Sequence, residues 1–234
     1  MNIIILAAGR GTRLYPLTLE APKCLLNLNN KETLIERMIR LIKKNLSEKI
    51  IVVTGFKHEC LEKKLSSVKF VNNPFYAVTN SIASLWFAKD YLNDEAIIMN
   101  SDIIIEEKLM KDLRNIKNEA TVLIDSSISR EADYKVAVYN DQVVVMSKDL
   151  VKFDGEYAGI TILSKKGSKK LKEKIESMVQ QGYIDSWYED ALVKMIFDDS
   201  FKINYFDIAD YKWAEVDTVD DLQLAKQISG LKPD

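Results

Sequence analysis

The feature that most restricts how this chain can fold is an alternation. Short apolar, β-branched runs at residues 3–6, 50–54, 68–71, 96–100 and 121–125 are separated by longer stretches of helical spacing at 33–46, 59–65, 81–92 and 106–116. A run such as Ile3-Ile4-Ile5-Leu6 has no polar alternation, so a strand built from it must be covered on both faces. Helices between successive strands supply that cover, which predicts βαβ units around a buried sheet. Thr33 and Glu36 stand in capping-box positions at the first long helix. The second half is less regular. It predicts a short hairpin over 134–140 and 142–147, a strand at 157–163, helices at 166–181 and 186–197, a strand at 203–206 and a closing helix at 218–228. The expected fold class is α/β: a Rossmann-like mixed, mostly parallel sheet flanked by helices, in a single domain over 1–234 with a small insertion after about residue 125.

Composition narrows the function. Lysine plus arginine (33) nearly balances aspartate plus glutamate (35), so no basic field exists for nucleic acid. Two cysteines, Cys24 and Cys60, do not make a disulfide framework or a zinc site. The apolar N-terminal run is too short for a signal peptide, and no run approaches the ~20 residues of a membrane helix. A cytoplasmic protein without membrane insertion is the expectation; a homo-oligomer is compatible with it.

Directly after the first strand comes Leu6-Ala7-Ala8-Gly9-Arg10-Gly11-Thr12-Arg13-Leu14. Ligands of open α/β sheets bind at the carboxyl ends of strands. Small residues there let backbone N–H groups approach a phosphate. Leu14 occupies the third glycine position of a dinucleotide fingerprint, and no Gly-Lys-Ser/Thr follows, so neither that motif nor a P-loop is present. Taken alone, Gly9 and Gly11 also fit an ordinary loop. Arg13 and Lys23 share the same long connection, stiffened by Pro16 and Pro22. A connection of that length is usually functional, and fixed cations beside a glycine loop suit a triphosphate.

Asp102 follows the apolar run ending at Asn100, and Asp217 precedes the last helix. Two strand-end carboxylates can hold one Mg²⁺, which keeps waters and phosphate oxygens as its other ligands; a loop turn and a helix cap are the alternative readings. Asn80 and Ser84 lie one helical turn apart and can face one base, or Thr79 or Asn80 can simply cap a helix. Trp187, Tyr188 and Asp190 open another helix. Ser186 and Glu189 read as its capping box, which leaves Asp190 for a cationic head group and the aromatics for cation–π contact or for packing. His58 reads as solvent-facing and Cys24 as packed.

LAAGRGTRLYPLTLEAPKCLL resembles the signature of the sugar-nucleotidyltransferase superfamily, L-A-A-G-x-G-x-R-L followed by P-K. The resemblance implies that Ala7, Ala8 and Gly9 contact base and ribose through backbone, with Leu6 and Ser101 on the same nucleotide side. It implies that Gly11, Thr12 and Arg13 hold the triphosphate, that Lys23 contacts the phosphates of donor and acceptor, and that Asp102 and Asp217 bind Mg²⁺. The part to about residue 125 would bind the nucleotide and the part from about 126 to 215 the acceptor. Asn73-Pro74-Phe75-Tyr76 through Asn80, Ser84 and Leu85 resembles a segment of bacterial phosphocholine and aminoalkylphosphonate cytidylyltransferases. Tyr188-Glu189-Asp190-Ala191 resembles a stretch of the same enzymes, and Glu156-Tyr157-Ala158-Gly159 resembles their strand lining the acceptor pocket. The implied activity is transfer of CMP from CTP to a small phosphorylated, amino-bearing acceptor of phosphocholine or phosphoglutamine type, with release of pyrophosphate, for a capsule or surface glycan. A sugar-1-phosphate nucleotidylyltransferase using UTP or dTTP, and an inactive nucleotide-binding regulatory module, are the other readings.

Overall fold

A computed structural model of the chain describes residues 1–128 and 134–230. The first half alternates as its apolar runs require: β1 (Asn2–Ala7), α1 (Leu34–Asn45), β2 (Ile50–Thr54), α2 (His58–Lys64), β3 (Lys69–Asn72), α3 (Ser81–Phe87), β4 (Ala96–Asn100), β5 (Ile103–Ile105), α4 (Glu107–Asp112) and β6 (Ala120–Asp125). The second half adds β7 (Lys135–Tyr139), β8 (Gln142–Ser147), β9 (Gly155–Leu163), α5 (Lys165–Gln180), α6 (Tyr188–Asp199), β10 (Asn204–Asp207), β11 (Trp213–Glu215) and α7 (Val219–Ile228). The main sheet runs β3-β2-β1-β4-β9-β6-β10-β8-β7. Its first four strands are parallel, β9 is antiparallel to both its neighbours β4 and β6, and β10 returns parallel to β6. The sheet is therefore mixed, and a strand from the second half lies at its centre.

Period-two alternation along β1 divides the core. Ile3 and Ile5 belong to the apolar cluster that holds Ile35, Met38 and Ile42 of α1 and Leu109 of α4. Ile4 faces the other way, into the cluster of Ile82 and Leu85 of α3, Leu171 of α5 and Leu192 of α6. All three isoleucines are fully buried, as expected of a strand covered by helices on both faces.

The local signals act as their chemistry directs. Thr33 caps α1 in a reciprocal box with Glu36. The hairpin β7–β8 turns at Asn140 and Asp141, both with positive φ (49° and 60°), the conformation of a two-residue primed turn. No helix among the described residues is long and apolar enough to cross a membrane.

Candidate active site

The carboxyl ends of β1 and β4 open into a cleft of about 310 Å³, lined in part by Leu6, Ala7, Ala8, Gly9, Gly11, Thr12, Arg13 and Lys23. The loop after β1 is held down from within. Thr18, fully buried, donates its hydroxyl to the Gly11 carbonyl at 2.7 Å. Gly11 has φ +63°, and a Cβ there would lie 2.9 Å from Lys23 Cβ. The absence of a side chain is thus what lets Lys23 rise beside the loop.

The two aspartates meet through a pairing with no strong signature in the sequence. β5 and β11 form a separate antiparallel ribbon, with Ile103 opposite Glu215, and Val216 N–H donates to the Asp102 carbonyl at 2.9 Å. The ribbon sets Asp102 and Asp217 side by side although 114 residues separate them in the chain. Lys23 Nζ lies 2.6 Å from Asp102 Oδ2 and 2.7 Å from Asp217 Oδ1, and Arg13 Nη1 lies 2.8 Å from Asp217 Oδ2. Burial disfavours the Lys23 ammonium, but the attraction of Asp102 and Asp217, with hydrogen bonds to both, outweighs it and raises the lysine above its ordinary value.

Helix capping does not occupy Asp217. Thr218 caps α7 in a box with Asp221, whose carboxylate also receives the Asp217 N–H. Asp102, Glu215 and Asp217 each offer an oxygen within 4.8 Å of the others, and Asp102 Oδ1 is buried with no hydrogen-bond partner. An acceptor-only oxygen turned into a cluster of carboxylates suits a hard cation such as Mg²⁺. Glu215 was missed in the sequence. Its signal was the two-residue spacing to Asp217, which places both on one side of an extended segment.

The opposite wall of the cleft comes from the segment before α3 and from the start of α6. Tyr76, Thr79, Asn80, Ser81, Ser84 and Trp187 line it, with Asn100 and Ser101 at the floor. Asn80 caps α3, accepting from Ser81 N–H. Residues 184–188 lie across the first turn of that helix: Asn80 N–H donates to the Ile184 carbonyl, Ile82 N–H to the Ser186 carbonyl and Tyr188 N–H to Ser81 Oγ. This docking carries Trp187 to the cleft mouth.

It also reverses two expectations. Helix α6 starts at Tyr188, not at Ser186, so Asp190 rather than Glu189 stands at the third helical position and accepts from Trp187 N–H at 3.0 Å, while the Trp187 indole offers no acceptor in return. The other Asp190 oxygen accepts from Tyr134 Oη at 3.1 Å. The carboxylate expected to be spare is thus committed. Glu189 is the buried one, with Oε2 unpartnered, and burial beside Asp190 pushes its carboxyl up to about 8. Tyr157 and Tyr188 do not form an aromatic wall. Both are buried, and their hydroxyls bond to each other and to Thr161.

On the other side of Arg13 and Asp217 a second recess is lined by Asp125, Ser127, Glu156, Trp213 and Glu215. Trp213 Nε1 donates to Asp125 Oδ2 at 2.7 Å, and Ser127 donates twice to the other oxygen. Glu156 therefore faces this recess, while Gly159 (φ +72°) packs against Asn100, where a Cβ would lie 3.0 Å from Nδ2. His58 is partly exposed, 3.1 Å from Glu62 Oε1 at the start of α2. Burial pushes the Cys24 thiol up to about 12, which leaves it protonated and inert.

Comparison with known proteins bears on the family and the fold. The nucleotidyl transferase family model matches residues 2–152. The chain is 34% identical over 136 residues to the CTP:phosphoglutamine cytidylyltransferase of Campylobacter jejuni, covering 54% of this chain and 53% of that protein. It is 36% identical over 115 residues to a choline-phosphate cytidylyltransferase of Streptococcus pneumoniae, covering 48% and 50%. The chain thus spans about half the length of these relatives in the matched segments. Among solved structures, the CTP:phosphocholine cytidylyltransferase of S. pneumoniae superposes with a TM-score of 0.77 at 24% identity over 97% of this chain and 98% of that one. The inositol-1-phosphate CTP transferase of T. maritima does so with 0.81 at 19% identity over 99% and 97%. These two likenesses concern the fold. Taken with the match over residues 2–152, the chain belongs to the nucleotidyl transferase family.

Proposed function

We propose that this protein is a metal-dependent cytidylyltransferase. It would transfer CMP from CTP to a small phosphorylated acceptor and release pyrophosphate. The observation that carries the reading is Lys23 set between Asp102 and Asp217, 2.6 and 2.7 Å from them, beside a glycine loop at the ends of β1 and β4. The choice of CTP is supported by the sequence likeness to cytidylyltransferases.

An acceptor phosphate oxygen would attack the α-phosphorus while the bond to the bridging oxygen of the β-phosphate breaks. The attacking oxygen already carries charge, so no general base is needed, and the protein's task is alignment and charge neutralisation. Lys23 would hold the attacking phosphate and the α-phosphate together. Arg13 would stabilise the departing pyrophosphate. Asp102 and Asp217, with Glu215 beside them, would hold Mg²⁺, which when bound supplies charge neutralisation on the phosphate oxygens. The acceptor's head group would enter from the side of Glu156 or of Trp187. The carboxylates on the Glu156 side favour a cationic, amino-bearing group.

The test is pyrophosphate release from CTP, UTP, dTTP, ATP and GTP against phosphocholine, phosphoglutamine, 2-aminoethylphosphonate and sugar 1-phosphates. Preference for CTP with an amino-bearing acceptor is expected. Equal or better use of UTP or dTTP with a sugar 1-phosphate would replace this reading by the sugar-nucleotide one. Retention of configuration at a chiral α-phosphorothioate would exclude direct displacement.

A further inference from the structure

We infer that Asn73, which is wholly buried and does not line the cleft, makes the base pocket a hydrogen-bond donor and so selects cytosine over uracil. The inference rests on the proposed use of CTP and names the residue that enforces it.

Two amide orientations carry the argument. The Phe75 backbone N–H can only donate, and it donates to Asn73 Oδ1 at 2.9 Å. That assigns the other end of the Asn73 amide as Nδ2, whose two protons go to Ser84 Oγ at 3.0 Å and Thr79 Oγ1 at 3.1 Å. Asn73 N–H donates to the Thr54 carbonyl at 2.7 Å, which ties the residue to the end of β2. Thr79 passes its own proton to the Phe75 carbonyl at 2.8 Å, so it has no proton left to offer a ligand.

Ser84 differs. Its Oγ accepts from Asn73, and among the described residues its proton goes to no acceptor. Because one lone pair is already taken, the Ser84 hydroxyl faces the cleft chiefly as a donor. Asn80 is set the same way. Its Oδ1 accepts from Ser81 N–H at 2.8 Å, again a group that can only donate, so its NH₂ is what remains for a ligand.

This wall therefore presents donors from both Asn80 and Ser84. Cytosine carries two adjacent acceptors, O2 and N3. Uracil carries a donor, N3–H, in place of the second. A donor wall pairs with cytosine and leaves a buried N–H opposed to another donor when uracil enters, and a site built to hydrogen-bond one base penalises the other strongly. Asn73 touches no ligand in this scheme; it is a positioning residue that acts through Ser84.

Asn73→Asp provides the test. A carboxylate can still accept from Phe75 N–H but has no protons for Ser84. The Ser84 hydroxyl should turn to donate to residue 73, exposing its lone pairs to the cleft. Steady-state kcat/KM would be measured for CTP and UTP with Mg²⁺ and the preferred acceptor, in the parent and the variant. The expected result is a fall in the CTP:UTP ratio of about tenfold or more, through KM, with kcat at saturating CTP kept within a few-fold. A merely structural role would weaken both nucleotides alike and leave the ratio unchanged, and that result overturns the inference. If the variant does not fold, judged by circular dichroism, Ser84→Ala decides: the ratio should fall, and an unchanged ratio overturns the inference. A parent enzyme with no preference for CTP over UTP would instead overturn the proposed donor, so the two failures are distinguished by the parent alone.

Discussion

Two groups of carboxylates in this protein have opposite fates. Asp102 and Asp217, at the ends of the β4 and β5–β11 segments, line the cleft and face Lys23 and Arg13 at 2.6–2.8 Å. Glu189 and Asp190, at the start of α6, are turned inward, one buried without a partner on Oε2 and one spent on a helix cap and a tyrosine hydroxyl. The residue types are the same. What separates them is whether a cation is in direct contact, as at Asp102 and Asp217, or the direct contacts are with backbone and hydroxyl donors, as at Asp190. A carboxylate beside fixed cations can exchange them for a ligand's charges; one fixed by backbone and hydroxyl groups serves the fold.

The contrast can be broken most sharply at the first group. Asp102→Asn and Asp217→Asn should each lower kcat by about 10³-fold or more while leaving circular dichroism unchanged, because a metal-binding carboxylate would be lost from the site. Near-normal Mg²⁺-dependent turnover in either variant would remove that residue from the metal site. Lys23→Ala should cost about 10²–10³ in kcat, with a much smaller effect on nucleotide affinity by calorimetry, as expected of a charge used on the transferring phosphates. Loss of affinity with kcat intact would make Lys23 a simple binding group.

The second group should show in stability, not turnover. The Glu189 carboxyl, pushed up to about 8 by burial, retains its proton in the folded protein over a range where the unfolded chain, near 4.5, has lost it. The native state then binds more protons than the unfolded one. Its contribution to stability is present below about 4.5 and is lost as pH rises through about 8. Glu189→Gln cannot ionise, so its Tm should overtake the parent's as pH rises from about 5 to about 9, with a gap of several degrees at the alkaline end. A gap independent of pH would show that Glu189 is not buried as described. Asp190→Asn should be the mildest, costing about 1 kcal/mol through a weaker cap, roughly 2–4 °C in Tm, and changing acceptor KM less than about threefold. A tenfold rise in acceptor KM with Tm unchanged would restore Asp190 to the acceptor site.

Much of the first half was legible because its signals are local. An apolar run, a small-residue loop and a strand-end aspartate announce themselves within a few residues, and the first four strands lie where their hydrophobicity placed them. The capping boxes at Thr33 and Thr218 were readable for the same reason: donor and acceptor are three residues apart. The start of α6 was not legible because two local solutions compete there. Ser186–Glu189 and Trp187–Asp190 both have capping-box spacing around one helix start.

The sequence by itself determined a βαβ-built sheet, a small-residue loop after the first strand and the residues Arg13, Lys23, Asp102 and Asp217 as its chemical endowment. Only the tertiary structure decided which groups meet. It brought Asp102 and Asp217 together through the β5–β11 ribbon, recruited Glu215, and began α6 at Tyr188 because residues 184–188 dock on the first turn of α3. The physical reason is range. Hydrophobic periodicity and capping act over a few residues, whereas the register between segments a hundred residues apart is set by packing and backbone pairing that no local pattern records.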